Sequence, residues 1–284
     1  MHDNVRVCEH AGFCFGAGRG VESLDKALSE KETIYTYGPI LNNDKLVESY
    51  AQKGVRVIND VSEFEGLPKG KVIIRAHGVS KAVYEAILAT GMEITDATCP
   101  FVKRIHNIVE QHSKDGERIV VIGNPKHPEV LGIVGWSVSS ATVIETEEEA
   151  QNFSAKEGEK LCIVSQTTFN RKKFDEFLEI LGKKGYNMSV MNTICDATRV
   201  RQEEAEKMAK EASVMLVIGD EKSSNNRKLY EICSQYCDHT YFIQTVEDIK
   251  GKLPPTDGLI GITAGASTPR YIIEEVQSYV RHDF

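Results

Sequence analysis

The sequence predicts an α/β protein built from parallel sheets and divided into three units of about 90 residues. Three observations carry that prediction. Short β-branched runs alternate with amphipathic helical stretches, polar clusters fall where the runs end, and three cysteines recur 85 and 96 residues apart. They are Cys14 in Gly12-Phe13-Cys14-Phe15-Gly16, Cys99 in Asp96-Ala97-Thr98-Cys99-Pro100 and Cys195 in Ile194-Cys195-Asp196-Ala197-Thr198. Each stands where an apolar run gives way to a helix-like pattern. The expected units are residues 1–97 with Cys14, 98–192 with Cys99 at the start, and 193–284 with Cys195 at the start.

Taken in order, Val5-Arg6-Val7 reads as a first short strand, and 34–37, 72–74, 119–122, 161–164, 214–218 and 259–262 read as buried strands. Helical periodicity fills 21–28, 83–88, 101–112, 174–181, 199–212 and 272–280, with charged residues on the exposed faces. Strand followed by helix, repeated, implies parallel sheets covered by helices, with ligands bound at the carboxyl ends of the strands.

Composition narrows the function. The chain has 284 residues, 41% of them hydrophobic and 27% charged, values of an ordinary globular protein. A formal charge of -8 argues against a broad basic surface for nucleic acid. No apolar run approaches the roughly 20 residues that span a bilayer. Residues Met1-His2-Asp3-Asn4 lack the pattern of an export signal, so a cytoplasmic protein is expected. Seven cysteines in such a chain suggest thiols or metal thiolates rather than a disulfide framework. Cys162 lies inside an apolar run, Cys233 and Cys237 lie four apart on an expected helix, and Cys8 ends the first strand, so all four read as packing residues.

Cys14, Cys99 and Cys195 look instead like ligands of one centre. Spacings this long exclude a local finger or ferredoxin loop, and three thiolates on a four-iron cluster leave one iron open to substrate. Cys14 and Cys99 also have plainer readings, a buried thiol by a glycine turn and a pre-proline thiol at a helix start, and a low-pKa nucleophile at a helix N-terminus is a third. The strand ends are rich in hydrogen-bonding groups: 75–78 with His77, 123–129 with His127 and Glu129, 165–168 with Thr167 and Thr168, 223–225, and 263–269. Taken singly, each is first a helix cap. Together they suggest an anion site, and in the last Pro269 fits a first helical position with Ser267 or Thr268 as its cap.

With those residues assembled, the chain resembles the 4-hydroxy-3-methylbut-2-enyl diphosphate reductase family, also called LytB or IspH, over almost its whole length. The motifs occur in order: Gly-Phe-Cys-Phe-Gly at 12–16, Ala-His-Gly-Val at 76–79, Asp-Ala-Thr-Cys-Pro at 96–100, His-Pro-Glu-Val at 127–130, Gln-Thr-Thr at 166–168, the Cys195 segment, Ser-Ser-Asn at 223–225 and Thr-Ala-Gly-Ala-Ser at 263–267. The resemblance implies three α/β units in a pseudo-threefold trefoil around a central 4Fe-4S cluster, held by Cys14, Cys99 and Cys195 with one open iron. It implies that His77, His127, Ser223, Ser224, Asn225 and Ser267 grip the diphosphate of an allylic substrate. It implies further that Thr168 and Thr198 line the same site, that Thr167 lies near the reacting hydroxyl and that Glu129 is the proton donor. A ferredoxin or flavodoxin is the implied electron donor, and isopentenyl and dimethylallyl diphosphate are the implied products.

One departure bears on the site. Where the family has a His-Asn pair, this chain has Asn42-Asn43, so a neutral amide replaces an imidazole beside the diphosphate. Two alternatives to the reductase therefore stand: a paralogous open-iron enzyme acting on another substrate, and a non-catalytic iron-sulfur sensor or carrier. Retention of the 223–225 and 267 groups favours the reductase over the first, and retention of Glu129 and Thr167 favours it over the second.

Overall fold

The structure, a computed structural model, describes residues 4–30 and 32–282. Residues 1–3, part of the segment on which the expectation of no export signal was based, lie outside the described residues. The chain begins with β1 (Val5–Val7), α1 (Phe15–Ser29), β2 (Ile34–Tyr37), α2 (Asp44–Gln52), β3 (Arg56–Ile58), β4 (Lys71–Ile74), α3 (Lys81–Ala89) and β5 (Glu93–Asp96). It continues with α4 (Pro100–Lys114), β6 (Arg118–Ile122), α5 (Pro128–Val134), β7 (Ala141–Ile144), α6 (Glu147–Asn152), β8 (Lys160–Ser165), α7 (Arg171–Lys183) and β9 (Asn187–Val190). The last stretch holds α8 (Asp196–Glu211), β10 (Val214–Ile218), α9 (Ser224–Ser234), β11 (Thr240–Ile243), β12 (Ile260–Ala264) and α10 (Arg270–His282).

Three four-stranded sheets result, ordered β3-β2-β4-β5, β7-β6-β8-β9 and β1-β12-β10-β11, and every strand pair is parallel. The six apolar runs of the sequence are the two central strands of each sheet. Those strands are buried on both faces, which is why they are continuously apolar rather than alternating. In the second sheet Val120, Ile122, Leu161 and Ile163 pack into one core while Ile119, Val121, Cys162 and Val164 pack into another. The third sheet divides likewise, with Val214, Leu216 and Ile218 on one face and Met215 and Val217 on the other. That is the period of two expected of strands.

By internal contacts the chain forms two compact units, one of Met1–Gly18, Asn42–Leu46 and Asp196–Phe284, the other of Arg19–Leu41 and Val47–Cys195. The expected first unit, 1–97, therefore needs correction at its start. β1 pairs with β12, Val5 facing Ile260, so the segment bearing Cys14 joins the C-terminal sheet. A three-residue strand leaves its backbone groups unpaired unless it borders a sheet, and β12 offers that border. A second correction concerns Cys237. The helix carrying Cys233 is capped at Gln235, so Cys237 lies past its end. Among the described residues no helix is long and apolar enough to cross a membrane.

Candidate functional site

In parallel sheets the polar strand ends share one edge, and each unit carries its own set of them. The unit with the first two sheets carries His77, Cys99, His127, Glu129, Thr167, Thr168 and Cys195. The other carries Cys14, Asn42, Thr198, Ser223, Ser224, Asn225 and Ser267.

In the first of these units β6 runs into the turn before α5, where His127 is the N-cap and Pro128 takes the first helical position. His127 Nδ1 accepts the Glu129 amide at 3.1 Å, which puts the proton of a neutral ring on Nε2. The Glu129 carboxyl is only 2% exposed. Its Oε1 accepts the Thr167 amide at 2.6 Å and its Oε2 the Thr167 hydroxyl at 2.8 Å. Burial pushes the carboxyl up to about 7 against the lowering effect of those two bonds, so it holds or releases a proton near neutrality.

Thr167 also ties in a cysteine, because its carbonyl accepts the Cys195 amide at 3.1 Å. Cys99 caps α4 and donates its amide to Ala76, the neighbour of His77, at 3.0 Å. The His77 ring meets that of His127 edge-on at 5.3 Å. Its Nδ1 is buried without a partner. Desolvation, then His127, holds the His77 imidazole well below its ordinary value, so it is neutral. Thr168 accepts from Gln166 Nε2 at 3.0 Å, and Gln166 Oε1 accepts the Asn124 amide at 3.2 Å. Gln166, part of the Gln-Thr-Thr motif but given no role from sequence, thus braces the two strand-end loops that form the Glu129 corner.

In the other unit the Cys14 loop is stitched to the end of β12. The Gly12 amide donates to Ala264 and the Cys14 amide to Ala266. Gly12 has φ +97, a backbone conformation that L side chains rarely adopt, and a Cβ there would also lie 3.0 Å from the Ile273 side chain and 3.3 Å from the Thr268 carbonyl, so local geometry suffices to account for this glycine. Buried Arg201 holds the Gly12 carbonyl at 2.7 Å, an interaction that periodicity on α8 does not reveal. Thr198 is buried in the first turn of α8. Ser223 caps α9, its Oγ accepting the Asn226 amide at 3.4 Å. Asn225, 3% exposed, has both amide atoms buried without partners, and so does the hydroxyl of Ser267, 7% exposed. The expected cap at 267–268 is therefore corrected. Thr268 Oγ1 donates to the Ile218 carbonyl at 3.0 Å and Ser267 Oγ bonds nothing in the protein. Asn42 Nδ2 donates to the Lys222 carbonyl at 3.4 Å, while Asn43, passed over in the sequence, is buried and donates to the Ser267 carbonyl at 3.0 Å.

The cysteines sort as the spacing suggests. Cys14, Cys99 and Cys195 are partly exposed, and Cys8, Cys162, Cys233 and Cys237 are buried. Desolvation pushes Cys8 to about 11 and Cys162 and Cys233 to about 12, which opposes the thiolate a metal requires. The other three sit where α1, α4 and α8 begin, and Cys14 Sγ accepts the Ala17 amide at 3.4 Å. Helix N-termini stabilise negative sulfur, so each of these three thiols suits a metal-thiolate bond.

Fold and strand-end groups together define a parallel α/β protein with groups suited to an enzyme: a buried carboxyl that titrates near neutrality, thiols at helix starts, and buried side-chain polar atoms without partners in the protein. A family profile described as LytB protein matches residues 5–281. The chain belongs to that family. A relative from Caldanaerobacter subterraneus subsp. tengcongensis, named 4-hydroxy-3-methylbut-2-enyl diphosphate reductase, is 46% identical over 275 residues, 96% of this chain and 94% of its own. One of the same name from Thermoanaerobacter sp. is 40% identical over 280 residues, 98% of this chain and 96% of its own. Among solved structures, that of (E)-4-hydroxy-3-methyl-but-2-enyl diphosphate reductase, described as the terminal enzyme of the non-mevalonate pathway, is 38% identical with a TM-score of 0.71, covering 98% of each chain. The Plasmodium falciparum E-1-hydroxy-2-methyl-but-2-enyl-4-diphosphate reductase is 26% identical with a TM-score of 0.90, covering 99% of this chain and 88% of its own.

Proposed function

We propose that the chain is a cytoplasmic 4-hydroxy-3-methylbut-2-enyl diphosphate reductase, removing the allylic hydroxyl to give isopentenyl and dimethylallyl diphosphate. The named relatives support the substrate, and the observation that carries the chemistry is the Glu129 and Thr167 pair. Breaking the C–O bond takes two electrons and two protons: the oxygen leaves as water, and the second proton ends on carbon. Hydroxide is a poor leaving group, so a proton must reach it as the bond breaks. Glu129, with burial raising it to about 7, keeps a proton at neutral pH and passes it through the Thr167 hydroxyl, 2.8 Å away.

Cys14, Cys99 and Cys195 are the residues that would hold a 4Fe-4S cluster, leaving one iron without a protein ligand. When bound, the cluster supplies the electrons and a Lewis acid for the departing oxygen. A low-potential one-electron carrier, ferredoxin or flavodoxin, is the donor this reading requires. Ser223, Ser224, Asn225, Ser267, His77 and His127 are assigned to the diphosphate, with Asn42, Thr168 and Thr198 beside them. The buried amide of Asn225 and hydroxyl of Ser267 support the assignment, because leaving such groups unbonded costs about 1–3 kcal/mol each unless a ligand completes them.

The test is anaerobic turnover of the allylic diphosphate by cluster-loaded protein with a strong reductant, beside Cys14→Ser, Cys99→Ser, Cys195→Ser and Cys233→Ser variants assayed for iron and sulfide. Turnover by wild type and cluster loss in only the first three are expected. An intact cluster without turnover would defeat the reading, as would loss of the cluster in Cys233→Ser.

A further inference from the structure

The diphosphate reading, on which this inference rests, leaves the Asn225 and Ser267 end of its unit with neutral donors. Asn42 brings no charge, and its amide is spent on the Lys222 carbonyl at 3.4 Å. That same bond sets Asn42 beside the loop that leads into α9. Lys222 directly precedes the cap residue Ser223, and its Nζ is paired with Asp44. Asp220 holds the two segments together, Oδ1 accepting the Lys222 amide at 2.8 Å and Oδ2 the Asp44 amide at 3.2 Å.

The geometry points to Lys222 as the mobile cation of the diphosphate site, supplying the positive charge that Asn42 lacks. Its present partner holds it weakly. The side chains of Lys222 and Asp44 are 68% and 65% exposed, and exposed ion pairs add little stability. Asp44 does not depend on Lys222, because it lies in the first turn of α2, where the helix dipole favours a carboxylate. The Asp220 carboxylate is engaged by two backbone amides and fixes the loop; it attracts the ammonium through space without a hydrogen bond to it. A flexible four-carbon stem lets that ammonium exchange one carboxylate for a multiply charged diphosphate, and the bonds it then makes are about twice as strong as neutral ones. Asn42 and Lys222 thus form one functional position: charge on either serves the same phosphate.

Calorimetric binding of inorganic pyrophosphate, at low salt, to wild type, Lys222→Met, Lys222→Arg, Asn42→His and the Asn42→His/Lys222→Met double variant tests this without requiring turnover. Lys222→Met is expected to weaken binding roughly tenfold. Lys222→Arg, which keeps the charge, should stay within about threefold of wild type. Asn42→His should recover most of the loss in the Met background and add much less to wild type. In steady-state assays KM should follow the same order while kcat stays level. Unchanged pyrophosphate affinity in Lys222→Met, or an equal gain from Asn42→His in both backgrounds, overturns the assignment. Should no preparation turn over the allylic diphosphate while pyrophosphate binding obeys the pattern, the reductase reading fails and the role of Lys222 stands.

Discussion

The Glu129 corner and the Asn225–Ser267 end solve opposite problems. At Glu129 both carboxyl oxygens are already bonded by Thr167 and the site is complete in the protein alone. At the other end the side chains of Asn225 and Ser267 are also buried, and their polar atoms have no partner in the protein. A group that handles a proton needs a fixed partner to set its acidity and direct the transfer, whereas a group that receives an anion must keep its hydrogen bonds in reserve. On the proposed function, the completed pair at Glu129 and Thr167 serves the chemistry, and the unpartnered Asn225 and Ser267 side chains serve binding.

Breaking the Glu129 side should give the largest effect. Glu129→Gln keeps the shape but carries no acidic proton to donate, and kcat should fall roughly 10²–10³-fold with KM nearly unchanged. Wild-type kcat should decline as pH rises through about 7, and the variant should lack that limb. A flat wild-type profile would remove Glu129 from proton delivery.

Stability offers the next test. A carboxyl raised from 4.5 to about 7 imposes no cost while protonated, and destabilises the fold increasingly as pH climbs between those values. Wild type should lose about 3 kcal/mol relative to Glu129→Gln between pH 4 and pH 8 in denaturant titrations. Parallel curves for the two proteins would contradict it. Thr167→Val sharpens the same point, because it removes a bond that lowers the pKa of Glu129. Its descending activity limb should move to higher pH, and movement the other way would count against the pairing.

At the binding end the effects should be smaller and of another kind. Ser267→Ala should weaken pyrophosphate binding about tenfold while raising the unfolding free energy of the ligand-free protein by about 1–3 kcal/mol, since the buried hydroxyl it deletes has no partner to lose. A clear loss of stability with unchanged affinity would make Ser267 a structural residue.

How legible these features were in the sequence followed burial. The six runs read as strands became β2, β4, β6, β8, β10 and β12, the central pair of each sheet. Apart from β1, the edge strands escaped notice. β3, β5, β7, β9 and β11 are three or four residues long and partly exposed, too short for an alternation to stand out, and one of them, Glu93-Ile94-Thr95-Asp96, carries neither a continuous apolar run nor a clean alternation. The three cysteines stood out by spacing and by their helix starts. Gln166, Asn43 and Arg201 did not, because an amide or guanidinium that braces a loop from far along the chain leaves no local pattern.

The sequence by itself determined the parallel α/β class, the central strands, the strand-end positions of the polar motifs and which cysteines differ from the packing thiols. All of these follow from local periodicity and from apolar burial, which a linear reading can measure. Tertiary structure alone decided that β1 borders β12 and carries Cys14 into the C-terminal sheet, and that Thr167 holds both oxygens of Glu129. It alone decided that Asn225 and Ser267 keep their hydrogen bonds in reserve. The reason is physical: edge pairing, acidity and unmet hydrogen bonds depend on which distant groups a buried atom meets, and that is fixed only when the chain has closed on itself.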